Sequence, residues 1–153
     1  MSVFPGEKHH TATVLLISTE EISRTLLMYH KKFKVWMPPG GHVEKTENDV
    51  EAAIREVKEE IGLDVGEFFK KPVRIDVRGV DLHLPEYVRE YAVDAHGQDP
   101  AHFHIDSLFV VHLPFQAPPA NPSEPNIVRW FTKDEIQTIA TFENVRTVLN
   151  EHM

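Results

Sequence analysis

Apolar runs separated by polar breaks outline the elements of this chain. Residues 11–18 (TATVLLIS) are rich in apolar and β-branched side chains and predict a strand; residues 23–29 (SRTLLMY) predict a second, with Glu20 and Glu21 marking the turn between them. Two prolines and two glycines punctuate residues 36–41 (WMPPGG), which predicts a loop. From Asn48 to Ile61 the period changes. Val50, Ala53, Ile54, Val57 and Ile61 recur at helical spacing and form one stripe. Thr46 or Glu47 stands at the start of this helix, and Gly62 suits the left-handed turn just past its end.

Further along, residues 73–80 predict a strand, 81–100 read as irregular, and 102–113 (HFHIDSLFVVHL) predict a long strand. Residues 114–125 hold five of the eleven prolines and predict an exposed loop, followed by a short strand over 126–131 (NIVRWF). Thr132 and Glu135 have the spacing of a capping box, so a helix is expected from there toward the C-terminus. Ile136, Ile139, Phe142, Val145 and Leu149 read as its core positions. Strands and helices mix without regular βαβ alternation. The expected class is therefore α/β, a mixed sheet with helices on both faces. A length of 153 residues fits one domain spanning 1–153.

Composition narrows the function classes. Apolar residues make up 41%, enough for an ordinary core, and the formal charge of -8 argues against a sequence-independent nucleic-acid binder, which needs a positive surface. With no cysteine, a disulfide framework, a thiolate nucleophile and a cysteine zinc site are all excluded. No apolar run approaches membrane-spanning length, and the start MSVFPGEKHH lacks an export signal. A cytoplasmic protein without membrane or nucleic-acid partners is expected.

The helix over 48–61 carries the candidate chemistry. Turned at about 100° per residue, it groups Glu56, Glu59 and Glu60 at one edge of the apolar stripe, bordering that stripe without entering it. Arg55 lies four residues before Glu59, at charge-pairing distance. Three clustered carboxylates repel one another on a plain solvated face. A hard divalent cation such as magnesium or manganese turns that repulsion into attraction, because it prefers oxygen ligands.

The surrounding residues extend the pattern. Gly41, Glu47, Arg55, Glu56, Val57, Glu59, Glu60, Gly62 and Leu63 fall at the spacing of the Nudix box, so residues 41–63 resemble that family's signature at every defined position. The resemblance implies a Nudix-like α/β/α sandwich and a loop–helix–loop that holds Mg2+ or Mn2+. It implies Glu56, Glu59 and Glu60 as metal ligands and catalytic groups, with the carbonyl of Gly40 as a further ligand. Gly41, Glu47, Arg55 and Gly62 would support the box. The implied reaction is attack of water on a phosphorus of a nucleoside diphosphate derivative, a small-molecule substrate. Which carboxylate is the base stays open; Glu124 in the proline-rich loop is a further candidate, and a solvated loop residue is its plainer reading. A Nudix domain that binds a nucleotide as a sensor without cutting it is the alternative, and the intact glutamate set speaks against it. Homodimers are frequent in the family.

Outside the box, His102, His104 and Asp106 alternate along one strand and so face one side, a spacing able to bind a metal or contact a phosphate. Partly buried polar residues are the plainer reading. Trp36 flanks the Pro-Pro-Gly-Gly loop and suits either base stacking or core packing. Subgroup marks for ADP-ribose, dinucleoside polyphosphate and coenzyme A substrates are not reproduced. This leaves a nucleoside triphosphate or a related small nucleotide as the favoured substrate.

Overall fold

The computed structural model describes residues 3–116 and 127–153. Its main sheet is built on β1 (Lys8–Ser18), whose apolar run is buried on both sides, as expected of a central strand. One edge of β1 pairs in parallel along its whole length with β8 (His102–Leu113). Its other edge is divided. The later half pairs antiparallel with β2 (Arg24–His30), and Thr11, Ala12 and Thr13 pair with β4 (Gly40–His42). β3 (Val35–Met37) and β9 (Ile127–Thr132) add to β2, and β7 (Tyr87–Val93) closes the far edge against β8. The sheet is mixed, as the sequence led us to expect.

Helices cover both faces. Ala12, Val14 and Leu16 of β1, with Phe109 and Val111 of β8, pack under α1 (Asp49–Ile61). The alternate residues Leu15, Leu27, Leu108 and Phe131 pack against the helices of the C-terminal segment, α2 (Lys133–Ile136) and α3 (Glu143–His152). Burying these large side chains at roughly 1.5–3 kcal/mol each fixes the strand register, since a slip of one residue would turn each set toward the wrong layer.

Helix α1 starts one residue later than a Glu47 cap, and two later than a Thr46 cap, would place it. Asn48 is the cap: its side chain accepts from the Glu51 amide, and Glu51 returns a bond to the Asn48 amide. Gly62 ends the helix in the left-handed conformation, φ 84°, with its amide bonded to the Val57 and Lys58 carbonyls.

Four further expectations need correction. Residues 36–41 are not one loop, because β3 and β4 flank the two prolines. Residues 73–80 are not one strand. They form a hairpin of β5 (Val73–Arg74) and β6 (Val80–Asp81), turned by Asp76, whose carboxylate accepts from the Arg78 and Gly79 amides. Residues 81–100 contain β7, an edge strand whose side chains alternate between half-buried and exposed. The C-terminal helix is two helices. Arg146 bonds the carbonyls of Ile136 and Ile139 and so caps the end of α2, while Phe142 is exposed at the break rather than buried.

Candidate active site

The site lies where α1 meets β4. Gly40 and Gly41 let the strand approach the helix closely. A side chain at Gly41 would collide with the Glu56 carboxylate, and one at Gly40 would meet the Ala12 carbonyl oxygen at 2.5 Å. The Gly40 amide donates to Glu60 Oε1 at 2.8 Å, which ties the helix to the strand through a catalytic candidate. Glu60 is buried and not merely at the margin of the apolar stripe, which corrects the helical-wheel reading. That burial is tolerated because the carboxylate meets a backbone donor.

Arg55 organises the remaining carboxylates. Its Nε donates to both oxygens of Glu47, and Nη2 reaches Glu47 Oε1 at 2.6 Å and the His42 carbonyl at 3.0 Å. Nη1 donates to Glu56 Oε1 at 2.9 Å and to Glu59 Oε2 at 3.2 Å. One planar guanidinium thus fastens the loop, β4 and two box carboxylates in a single fork-shaped network. Hydrogen bonding to Glu47, then to Glu56, pushes the Arg55 pKa up; bonding to Arg55 holds Glu47 below the usual carboxylate range against an opposing effect of burial. The three partners bring more negative charge than Arg55 offsets. Side-chain exposure rises from 14% at Glu56 to 40% at Glu59, so the set opens to solvent on the Glu59 side. An oxygen-only donor set with excess negative charge fits a hard divalent cation.

His102 is buried and His104 half-buried, side by side on β8. His102 Nδ1 contacts the Pro100 carbonyl at 2.9 Å, and its Nε2 lies 3.2 Å from His104 Nε2. Burial first, then the surrounding imidazoles of His42, His102, His9 and His96, push His104 down to about 4. Asp106 shares their side of the strand but its carboxylate accepts from Thr11 and Thr13 at 2.8 and 2.9 Å. Burial pushes the Asp106 pKa up, against those two bonds.

Two residues join this histidine pair without any signal in the sequence. His9 is opposite His104 in the parallel register, and His42 arrives through the β1–β4 pairing. Neither lies near the 102–106 run in the chain, so only the sheet topology reveals them. Trp36 packs in the layer under α2 and α3, edge-on to Phe131 at 4.8 Å between ring centroids. Glu124 falls outside the described residues.

Comparison with known proteins gives a consistent outcome. The family model described as NUDIX domain matches residues 7–150. A 52-residue stretch is 42% identical to mRNA-decapping enzyme subunit 2 of Saccharomyces cerevisiae (strain YJM789), covering 34% of this chain and only 5% of that protein's length. Bis(5'-nucleosyl)-tetraphosphatase [asymmetrical] of Sus scrofa is 29% identical over 117 residues, 76% of this chain and 68% of the relative. The solved structure of a NUDIX-family hydrolase from Clostridium perfringens is 28% identical, covers 94% of each chain and superposes with a TM-score of 0.71. No helix among the described residues is long and apolar enough to cross a membrane.

Proposed function

The chain belongs to the Nudix hydrolase family, and on that premise we propose that it hydrolyses a diphosphate linkage in a small nucleotide, with Glu56, Glu59 and Glu60 holding Mg2+ or Mn2+. The observation that carries this reading is the way Arg55 and the Gly40 amide hold the box carboxylates at one opening between α1 and β4. When bound, the cation neutralises the diphosphate and lowers the pKa of its water. The carbonyl of Gly40 is proposed as a further ligand beside Glu60. The bracing by Arg55 and Glu47 keeps the carboxylates in place while substrate enters, so little reorganisation remains for the reaction itself. One carboxylate of the set accepts the proton of the attacking water. The reading takes residues 1–153 as one cytoplasmic domain acting on a free nucleotide.

A nucleoside triphosphate or a related nucleotide is the proposed substrate. The name of the Sus scrofa relative favours a second reading, a dinucleoside tetraphosphate. One panel decides between them: nucleoside triphosphates, diadenosine tetraphosphate, ADP-ribose and sugar nucleotides, each with Mg2+ or Mn2+, scored for released phosphate or pyrophosphate. Turnover that needs metal and falls by orders of magnitude in both Glu56→Gln and Glu60→Gln supports the enzyme. Nucleotide binding without turnover supports the sensor alternative, and near-native activity in both variants refutes the assignment of the carboxylates.

A further inference from the structure

We propose that His9, His102 and His104 form a second metal site, one for a divalent transition ion of the zinc class, separate from the carboxylates on α1. One ligand nitrogen from each of these residues lies within 4.8 Å of the other two, the only such group of three metal-binding side chains among the described residues. The sheet brings them together. The β1–β8 register sets His9 beside His104, and the two-residue period of β8 sets His102 next on the same side.

Three features make this more than crowding. The first is spacing. Two nitrogens bound to one tetrahedral ion, each at about 2.0–2.1 Å, lie roughly 3.3 Å apart, and His102 Nε2 and His104 Nε2 are 3.2 Å apart. The second is orientation. His102 Nδ1 donates to the Pro100 carbonyl at 2.9 Å, which leaves the lone pair on the inward Nε2. Glu7 Oε2 lies 3.5 Å from His9 Nε2, the carboxylate–imidazole relation that orients metal-binding histidines elsewhere. The third is donor type. Asp106, the nearest carboxylate along the strand, is already engaged by Thr11 and Thr13. The three grouped ligands are therefore all imidazoles, and imidazole suits zinc, nickel and copper where oxygen suits magnesium and manganese.

The site stands apart from the carboxylates on α1. His9 and His104 belong to the side of β1 and β8 that carries Thr11, Leu15 and Leu108, which is the side of α2 and α3; Ala12, Val14 and Leu16 face α1. Three nitrogens leave one tetrahedral position open. His42 Nε2 lies 3.3 Å from His9 Nδ1, at the margin of the cluster, where it or a water completes the ion's shell. The competing account is a purely structural cluster in which imidazoles share protons and bind no ion.

The test is titration of the intact protein with Co2+ in excess Mg2+, so that the carboxylates are occupied, followed by visible d–d absorption and displacement by Zn2+. We expect one Co2+ per chain, displaced by Zn2+. Affinity should fall at least tenfold in His104→Gln and in His9→Gln and stay within twofold in Glu56→Gln. His9→Gln is on a different strand and guards against a folding failure peculiar to His104→Gln; circular dichroism checks both. Absence of stoichiometric binding by the wild type overturns the proposal outright. So does binding that survives both histidine substitutions, or binding that is lost with Glu56→Gln. Mg2+-dependent turnover, measured separately, reports on the carboxylate reading alone.

Discussion

Gly41 and Glu56 occupy adjoining space: a methyl group on Gly41 would stand 2.5 Å from the Glu56 carboxyl carbon and closer to one of its oxygens. Neither Gly41 nor Gly40 has a positive φ, so the need for glycine here is steric and not conformational. Gly41→Ala must therefore displace Glu56 and weaken its bond to Arg55. Overpacking of this kind costs roughly 1–3 kcal/mol, so the protein should still fold. Turnover should fall about a hundredfold or more, close to the loss in Glu56→Gln, because a small misplacement at reacting groups is amplified in rate. Steady-state kinetics beside a thermal melt checks this. Native turnover in Gly41→Ala would show that the position of Glu56 is not important to the reaction.

The Arg55–Glu47 contact makes stability depend on pH. Arg55 holds the folded-state pKa of Glu47 below its ordinary 4.5, with the Glu44 amide adding to the effect. Its stabilisation is then fully present above about 4.5 and is lost as pH falls through the lower folded value. In Glu47→Gln that contribution is absent throughout. The variant should melt about 2–4 °C lower at pH 7, the shift that roughly 1 kcal/mol gives a chain of this size. The two melting curves should converge as pH falls through the lowered folded value of Glu47. Calorimetry at intervals from pH 7 down through the acid range measures the gap; a gap that does not narrow as the solution is acidified would mean that Glu47 does not titrate against Arg55.

The box was legible because its chemistry needs fixed spacings along one helix and its loop, and local geometry carries such spacings directly into space. The central strands were legible for a related reason: β1 and β8 are buried on both faces, so their apolar residues run together. What escaped depended on partners far along the chain. β7 has the polar alternation of an edge strand, and Arg89 and Glu90 disguise it until Asp106 and Ile105 of β8 are opposite them. The exposed apolar residues Val73, Ile75 and Val77 predict a buried strand where there is only a hairpin on the surface. His9 and His42 gain meaning only from strand register.

The start of α1 offers a sharp comparison. Thr46 is a good capping residue by type, yet Asn48 makes the cap and Glu51 reciprocates it. Asn48→Ala should cost about 1 kcal/mol, the ordinary loss of a cap, and lower the melting temperature by about 2–4 °C. Thr46→Ala should change it by less than about 1 °C, as surface substitutions away from such features usually do. Differential scanning fluorimetry of the two variants separates them, and the reverse order would put the cap at Thr46.

Glu60 tests whether structure and chemistry can be divided at one residue. Its Oε1 accepts from the Gly40 amide while the side chain is buried against the helix–strand contact. Glu60→Gln keeps the shape and a carbonyl oxygen for that amide, so without metal it should melt within about 2 °C of the wild type. Glu60→Ala leaves the Gly40 amide without this acceptor and opens space beside α1. The cost of leaving a buried donor unsatisfied is roughly 1–3 kcal/mol, and the melt should drop by several degrees. Added Mn2+ gives the second reading. A cation that binds only the folded state at a hundred times its dissociation constant stabilises by about 2.7 kcal/mol. The wild type should therefore gain several degrees with Mn2+, and Glu60→Gln should gain little while remaining as well folded as before. If Glu60→Gln keeps the full Mn2+ shift, Glu60 serves the strand–helix contact alone and the proposed metal set must be drawn from the other carboxylates.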